Sequence, residues 1–179
     1  MSKLEVKELA APSGFDLKIA AGETLDLKSQ GTVTMPAGAI LQVVQGTTGS
    51  QAGTSSNSYQ TIVSASITPT STSSKILIKA SCTCYLGTNA GSRSEFTIFR
   101  DSTNVATGIS STSMLAMGGR SSDGSITISY PNVTKLDSPS STSAITYAFK
   151  ARNNDASVGA FNWCWDNSVA EITLMEVAQ

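Results

Sequence analysis

Histidine is absent from this 179-residue chain. That removes the commonest general base at neutral pH and the commonest metal ligand. It also removes the Ser-His-Asp and Cys-His nucleophile arrangements. Charge is scarce: Asp, Glu, Lys and Arg make up 14% of the chain, against roughly 25% in an ordinary globular domain. The 12 basic and 13 acidic residues leave a net charge of −1, so no basic excess is present to grip a nucleic-acid backbone. Cysteine is limited to Cys82, Cys84 and Cys164, an odd number that makes no disulfide framework. Cys82 and Cys84 stand two apart in a strand-like run, on one face but too far apart along an extended chain for a normal bridge. All three are expected to be small buried residues, with no zinc site and with assembly in a reducing cytosol. No apolar run approaches the length of a membrane span, and the amino end carries no apolar signal segment, so neither membrane insertion nor secretion is expected.

Hydroxyl takes the place of charge. Serine and threonine form more than a quarter of the chain, and they suit turns and strand edges. Turn-forming clusters at 69–74, 88–91, 100–104, 118–119, 123–124, 137–139 and 153–155 separate short apolar runs. The runs predict strands over 59–68, 75–86, 94–100, 104–108, 113–117, 125–130, 132–136, 144–152, 161–165 and 169–177, at the spacing of a sandwich. A strand over 39–45 follows a turn at Pro36 and Gly38, and 46–58 reads as an exposed loop. No segment carries a helical stripe. The expected fold is all-β, with an antiparallel β-sandwich head over 39–179.

Residues 1–38 differ from the rest. They form short rungs with apolar residues at i and i+2, such as Phe15-Asp-Leu17-Lys-Ile19, Leu25-Asp-Leu27 and Val33-Thr-Met35, and much of the charge gathers there. Isolated two-stranded pieces are marginal in water. The segment is therefore expected to be an attachment arm, docked on a partner or intertwined with sister chains. Leu17, Leu25, Leu27, Val33 and Met35 are its candidate contacts. The last strand is apolar on both faces, with Ile172 and Leu174 on one and Val169, Met175 and Val177 on the other. Such a strand needs cover on both sides. A second copy of the chain is the expected partner, which adds Ile172 and Leu174 to the candidate contacts.

Catalytic signals are weak. No nucleophile elbow is present, and the carboxylates outside the arm (Glu95, Asp101, Asp123, Asp137, Asp155, Asp166, Glu171, Glu176) fall mostly in turns, where backbone capping explains them. Glu176 is expected to face solvent or a basic side chain of another subunit. No enzyme activity and no cofactor are expected. The oxygen-rich loops 153–155 and 166–168 lack the fixed ligand spacing of a calcium loop. Phe161, Trp163 and Trp165 alternate along one predicted strand and so share a face. They form either a core plug and subunit contact or a stacking platform for a receptor glycan.

Met35-Pro-Ala-Gly-Ala-Ile-Leu-Gln-Val-Val-Gln45, with Ser64-Ala-Ser-Ile-Thr-Pro-Thr-Ser-Thr-Ser-Ser-Lys-Ile-Leu-Ile78, resembles virion structural proteins of tailed bacteriophages, marine and cyanobacterial ones above all. Phe99-Arg-Asp-Ser-Thr103, Leu136-Asp-Ser-Pro139, Thr146-Tyr-Ala-Phe-Lys-Ala-Arg152 and Ile172-Thr-Leu-Met-Glu-Val177 extend the likeness to residues 35–178. The resemblance implies a tail-fibre, knob or other appendage protein, or a capsid decoration protein, located in the virion. It further implies a homotrimer with a sandwich or jelly-roll-like head, an attachment part in contact with other virion proteins, and no catalytic residues.

Overall fold

The computed structural model describes residues 35–86, 93–105, 108, 113–118, 127–154 and 161–179, with the turn at 21–22. The chain divides into two compact units, Met1–Thr34 and Met35–Gln179. In the first, only Ala21 and Gly22 are described, in a turn. The expectations for Leu17, Leu25, Leu27 and Val33 fall outside the described residues.

Thirteen strands make up the described part of the second unit: β1 (Ile40–Thr48), β2 (Ala52–Thr54), β3 (Gln60–Ile67), β4 (Lys75–Ser81), β5 (Cys84–Leu86), β6 (Arg93–Arg100), β7 (Thr103–Asn104), β8 (Leu115–Gly118), β9 (Thr127–Ser129), β10 (Asn132–Asp137), β11 (Ile145–Asn153), β12 (Phe161–Trp163) and β13 (Ala170–Val177). The first sheet runs β1-β13-β4-β10. The second runs β3-β11-β6, and β7 and β8 share the outer edge of β6. Every pairing is antiparallel. Taken in chain order, β1, β3, β4, β6, β8, β10, β11 and β13 form one sheet ordered first-eighth-third-sixth and another ordered second-seventh-fourth-fifth. That is the jelly-roll arrangement of two interlocked Greek keys. The described part of the second unit is an all-β sandwich.

A third sheet, β2-β12-β5-β9, repeats the first in the same order. Each of its strands is the continuation of a strand in the first sheet: β1 into β2, β4 into β5, β9 into β10 and β12 into β13. The four strands therefore bend together, at 49–51, 82–83, 130–131 and 164–169, and a single sheet becomes two. The bends explain where period-two reading ran on too far. The strand expected over 75–86 breaks at Cys82 and Thr83, and the one over 161–165 stops at Trp163 because Cys164 turns left-handed (φ 55). The segment expected as one exposed loop, 46–58, contains the end of β1 and all of β2.

Local chemistry sets the turns. Gly38 adopts φ +88, a conformation costly for any residue with a Cβ, and the Ala39 amide donates to the Pro36 carbonyl at 3.1 Å. Hydroxyls accept backbone amides two residues on: Thr48 from Ser50, Thr54 from Ser56, Ser56 from Ser58, Ser71 from Ser73 and Ser141 from Ser143. These side chains imitate a backbone turn without adding charge, which accounts for much of the hydroxyl content.

One core fills the sandwich. β13 and β4 contribute Ile172, Leu174, Ile76 and Ile78; β3, β11 and β6 contribute Ile67, Tyr147, Phe149, Phe96 and Ile98. Phe161 and Trp163 close the end beneath the third sheet, with Phe161 edge-on to Phe96 at 5.8 Å. Gly46 lies where β1 crosses β3, and a Cβ there would overlap the Ser64 carbonyl.

Candidate functional site

Ile172 and Leu174, expected to meet another chain, are both 0% exposed inside the chain's own core. Their partner is the second sheet, so they offer no surface to a second copy. The two-faced reading of this strand was right about the faces and wrong about which one is open. Glu176 also differs from expectation: it shares the inner face with them and is 0% exposed. Its carboxylate accepts from Gln42 Nε2 at 2.6 Å and from the Thr70 amide and hydroxyl at 2.7 Å each. Burial alone would raise its pKa, but these donors outweigh burial and hold it below the ordinary carboxylate value.

The three aromatics do not form one row. Phe161 and Trp163 are core residues, 1% and 5% exposed, so neither is available to a receptor. Trp165 lies past the left-handed Cys164, in a short 3-10 turn (Trp165–Asn167). It is half-buried and stacks on Tyr85 at 4.6 Å.

Most of the remaining described carboxylates have structural partners, while Asp166 is exposed in the 3-10 turn with a left-handed backbone (φ 56). Asp137 Oδ2 accepts from Tyr147 Oη at 2.7 Å and from an Arg100 guanidinium nitrogen at 2.8 Å, which links the end of β10 to the second sheet. Burial, then the bond to Asp137, push the Tyr147 hydroxyl well above its ordinary value. Glu95, 3% exposed, receives Arg152 through two nitrogens and Arg93 at 3.3 Å. Asp101 accepts the Thr146 amide, and Glu171 lies within 3.4 Å of Gln45 and Ser81 donors. Asp123 and Asp155 are outside the described residues.

The cysteines gather at the bend. Cys82 Sγ and Cys84 Sγ lie 3.3 Å apart, brought together because the chain leaves the strand between them. Both are free, as is Cys164. The hydrogen bond with Cys84, then burial, raise Cys82 far above an ordinary thiol, and burial raises Cys164. Neutral buried thiols are poor nucleophiles and poor metal ligands. Among the described residues, no group of three or more Cys, Asp or Glu could hold a metal ion. None of the described helices is long and apolar enough to cross a membrane.

The two sheets differ in their outer faces. On the second, Lys150 covers the Phe99 ring at 4.5 Å and Arg152 covers Tyr59 at 4.7 Å. The outer face of the first carries an uncovered apolar row. Leu136 pairs with Leu77, Leu77 with Met175, and Met175 with Val43, so the row crosses all four strands at one level. Val43 is 59% exposed and Leu136 49%, with Leu77 and Met175 half-buried between them. Ile40 (47% exposed) and Val177 extend it at the β1–β13 edge, and Met35 is also exposed. On the flank, Lys79, Ser81, Asn132, Glu171 and Thr173 line a shallow hollow beside Met175. Sequence reasoning missed Val43, Leu77 and Leu136. The signal was present as alternation in each strand, but the row exists only through strand pairing. No protein-family model matches the chain, and no curated protein matches it.

Proposed function

We propose that this chain is a structural subunit of a tailed-bacteriophage virion. It is a homotrimeric fibre knob or appendage that attaches through residues 1–38 to a tail, portal or capsid protein and presents its sandwich as a head. The motifs of residues 35–178 support the place. The observation that carries the structural role is the apolar row across the outer face of the first sheet. Contiguous exposed apolar surface of this kind marks a contact with another protein. Among the described residues, Glu95, Asp137, Glu176 and the three thiols are engaged in hydrogen bonds or ion pairs inside the fold. The test is twofold: the native mass of the purified full-length chain, and its copy number in purified particles. Trimers in solution and a fixed copy number per particle are expected. A monomer that is absent from particles overturns the proposal.

A second reading, recognition of a host cell-surface glycan, is favoured by the Tyr85–Trp165 stack, whose rings are partly exposed beside Ile128 (46% exposed). Aromatic faces of this kind stack on apolar sugar faces. Under this reading, Trp165→Ala abolishes binding of the head to host cells while the circular dichroism spectrum is unchanged.

A further inference from the structure

The outer face of the first sheet is built from two unlike halves. β4 and β10 contribute Lys75, Leu77, Lys79 and Leu136, and their charge is basic. β13 and β1 contribute Glu171, Thr173, Met175 and Val43, and their charge is acidic. The halves are joined at the centre, since β13 and β4 are the inner strands of the order β1-β13-β4-β10.

We infer that copies of this chain associate through this face about a rotation axis parallel to its strands, the β4–β10 half of one copy resting on the β13–β1 half of the next. The inference rests on the homo-oligomeric reading above and adds the surface and its polarity. A rotation about such an axis preserves height along the strands and exchanges left for right. At the level of the apolar row, Leu77 and Leu136 of one copy then meet Met175 and Val43 of its neighbour. One pleat away Lys79 comes opposite Thr173, because the two are register partners within a chain. Glu171 stands one pleat further along the same strand, within the span of a four-carbon lysine stem.

The alternative axis, along the apolar row itself, inverts height and keeps each strand against its own copy. It sets Lys79 of one chain against Lys75 of the other, and like charges brought together across an interface are destabilising. The distribution of charge therefore selects the first arrangement. Two copies so related form a face-to-face pair and three form a triangular prism. In both, the apolar rows face the axis.

The experiment uses the full-length chain. Native mass is measured for the wild type and for Met175→Lys, with circular dichroism to establish that the variant is folded. In parallel, a mixture of isotopically light and heavy wild-type protein is treated with a zero-length carbodiimide, and light–heavy peptides are sought. The expected results are an oligomeric wild type, a Met175→Lys variant whose dissociation constant rises at least 100-fold, and a light–heavy cross-link joining Lys79 to Glu171. Lys79→Glu and Glu171→Lys should each weaken association about 10-fold, and the double variant should restore it. An oligomeric wild type whose mass is unchanged in Met175→Lys, with no Lys79–Glu171 light–heavy link, overturns this surface and leaves the homo-oligomeric reading standing. A wild type that is monomeric at every concentration overturns both.

Discussion

Glu176 shows what a single side chain does in this fold. A carboxylate at 0% exposure held by neutral groups is ordinarily costly, yet three donors from β1 and the 68–74 turn hold it ionised. Its folded-state pKa lies below the ordinary value, so its stabilising contribution is complete above that value. The contribution is lost as pH falls through the lower, folded-state pKa. The melting temperature should therefore be flat near neutrality and drop below about pH 4.5, the ordinary value for Glu. Glu176→Gln should cost about 1–3 kcal/mol at pH 7, because its amide group faces donors instead of accepting from them, and its acid limb should be shallower. Thermal melts of both proteins from pH 3 to pH 8 measure this; parallel acid limbs would refute it. Nothing in the sequence near Glu176 signals this role. Gln42 is 134 positions away and Thr70 is 106, and a glutamate in an alternating strand looks like a solvent-facing one. Gly46 is a parallel case. Gly46→Ala should lower stability by more than the usual exposed-strand substitution, since the added methyl meets the Ser64 backbone and not a movable side chain.

At the scale of the element, alternation and turn chemistry are local properties, and most strands of the sandwich were legible from them. The strands expected over 59–68, 94–100, 132–136, 144–152 and 169–177 correspond to β3, β6, β10, β11 and β13 within a residue or two. What local pattern does not carry is a bend. Cys82 and Thr83 continue the apolar rhythm of β4, and Trp165 continues that of β12, but in both places the sheet turns to close the end of the core. The consequence for the aromatics is a separation of roles. Trp163→Ala should lower unfolding stability by about 3–5 kcal/mol, because it opens a cavity under the third sheet. Trp165→Ala, losing a half-buried stack on Tyr85, should cost about 1 kcal/mol. Urea unfolding midpoints distinguish them, and equal losses would contradict the placement of Trp165 outside the core.

At the scale of the whole molecule, the pairing of sheets decides which surfaces are left for other proteins. The sequence shows that the last strand is apolar on both faces. It does not show which face the second sheet covers, and Ile172 and Leu174 are inside for that reason alone. The row Val43–Met175–Leu77–Leu136 draws on strands from both ends and the middle of the chain, so it appears only once the jelly-roll order is known.

The start of β1 and the end of β13 lie side by side. The Gly38 amide donates to the Ala178 carbonyl and the Ala178 amide to the Ala39 carbonyl, both at 2.9 Å. The folded-over sheet lies at the opposite end of the same strands. The head thus has a base and a tip, with its chain termini at the base. A peptide tag appended after Gln179 would emerge where residue 35 does and compete for room with anything anchored there, whereas one inserted after Asn57, in the exposed turn following β2, would be displayed outward. Antibody labelling of assembled material should reach the second tag readily and the first poorly.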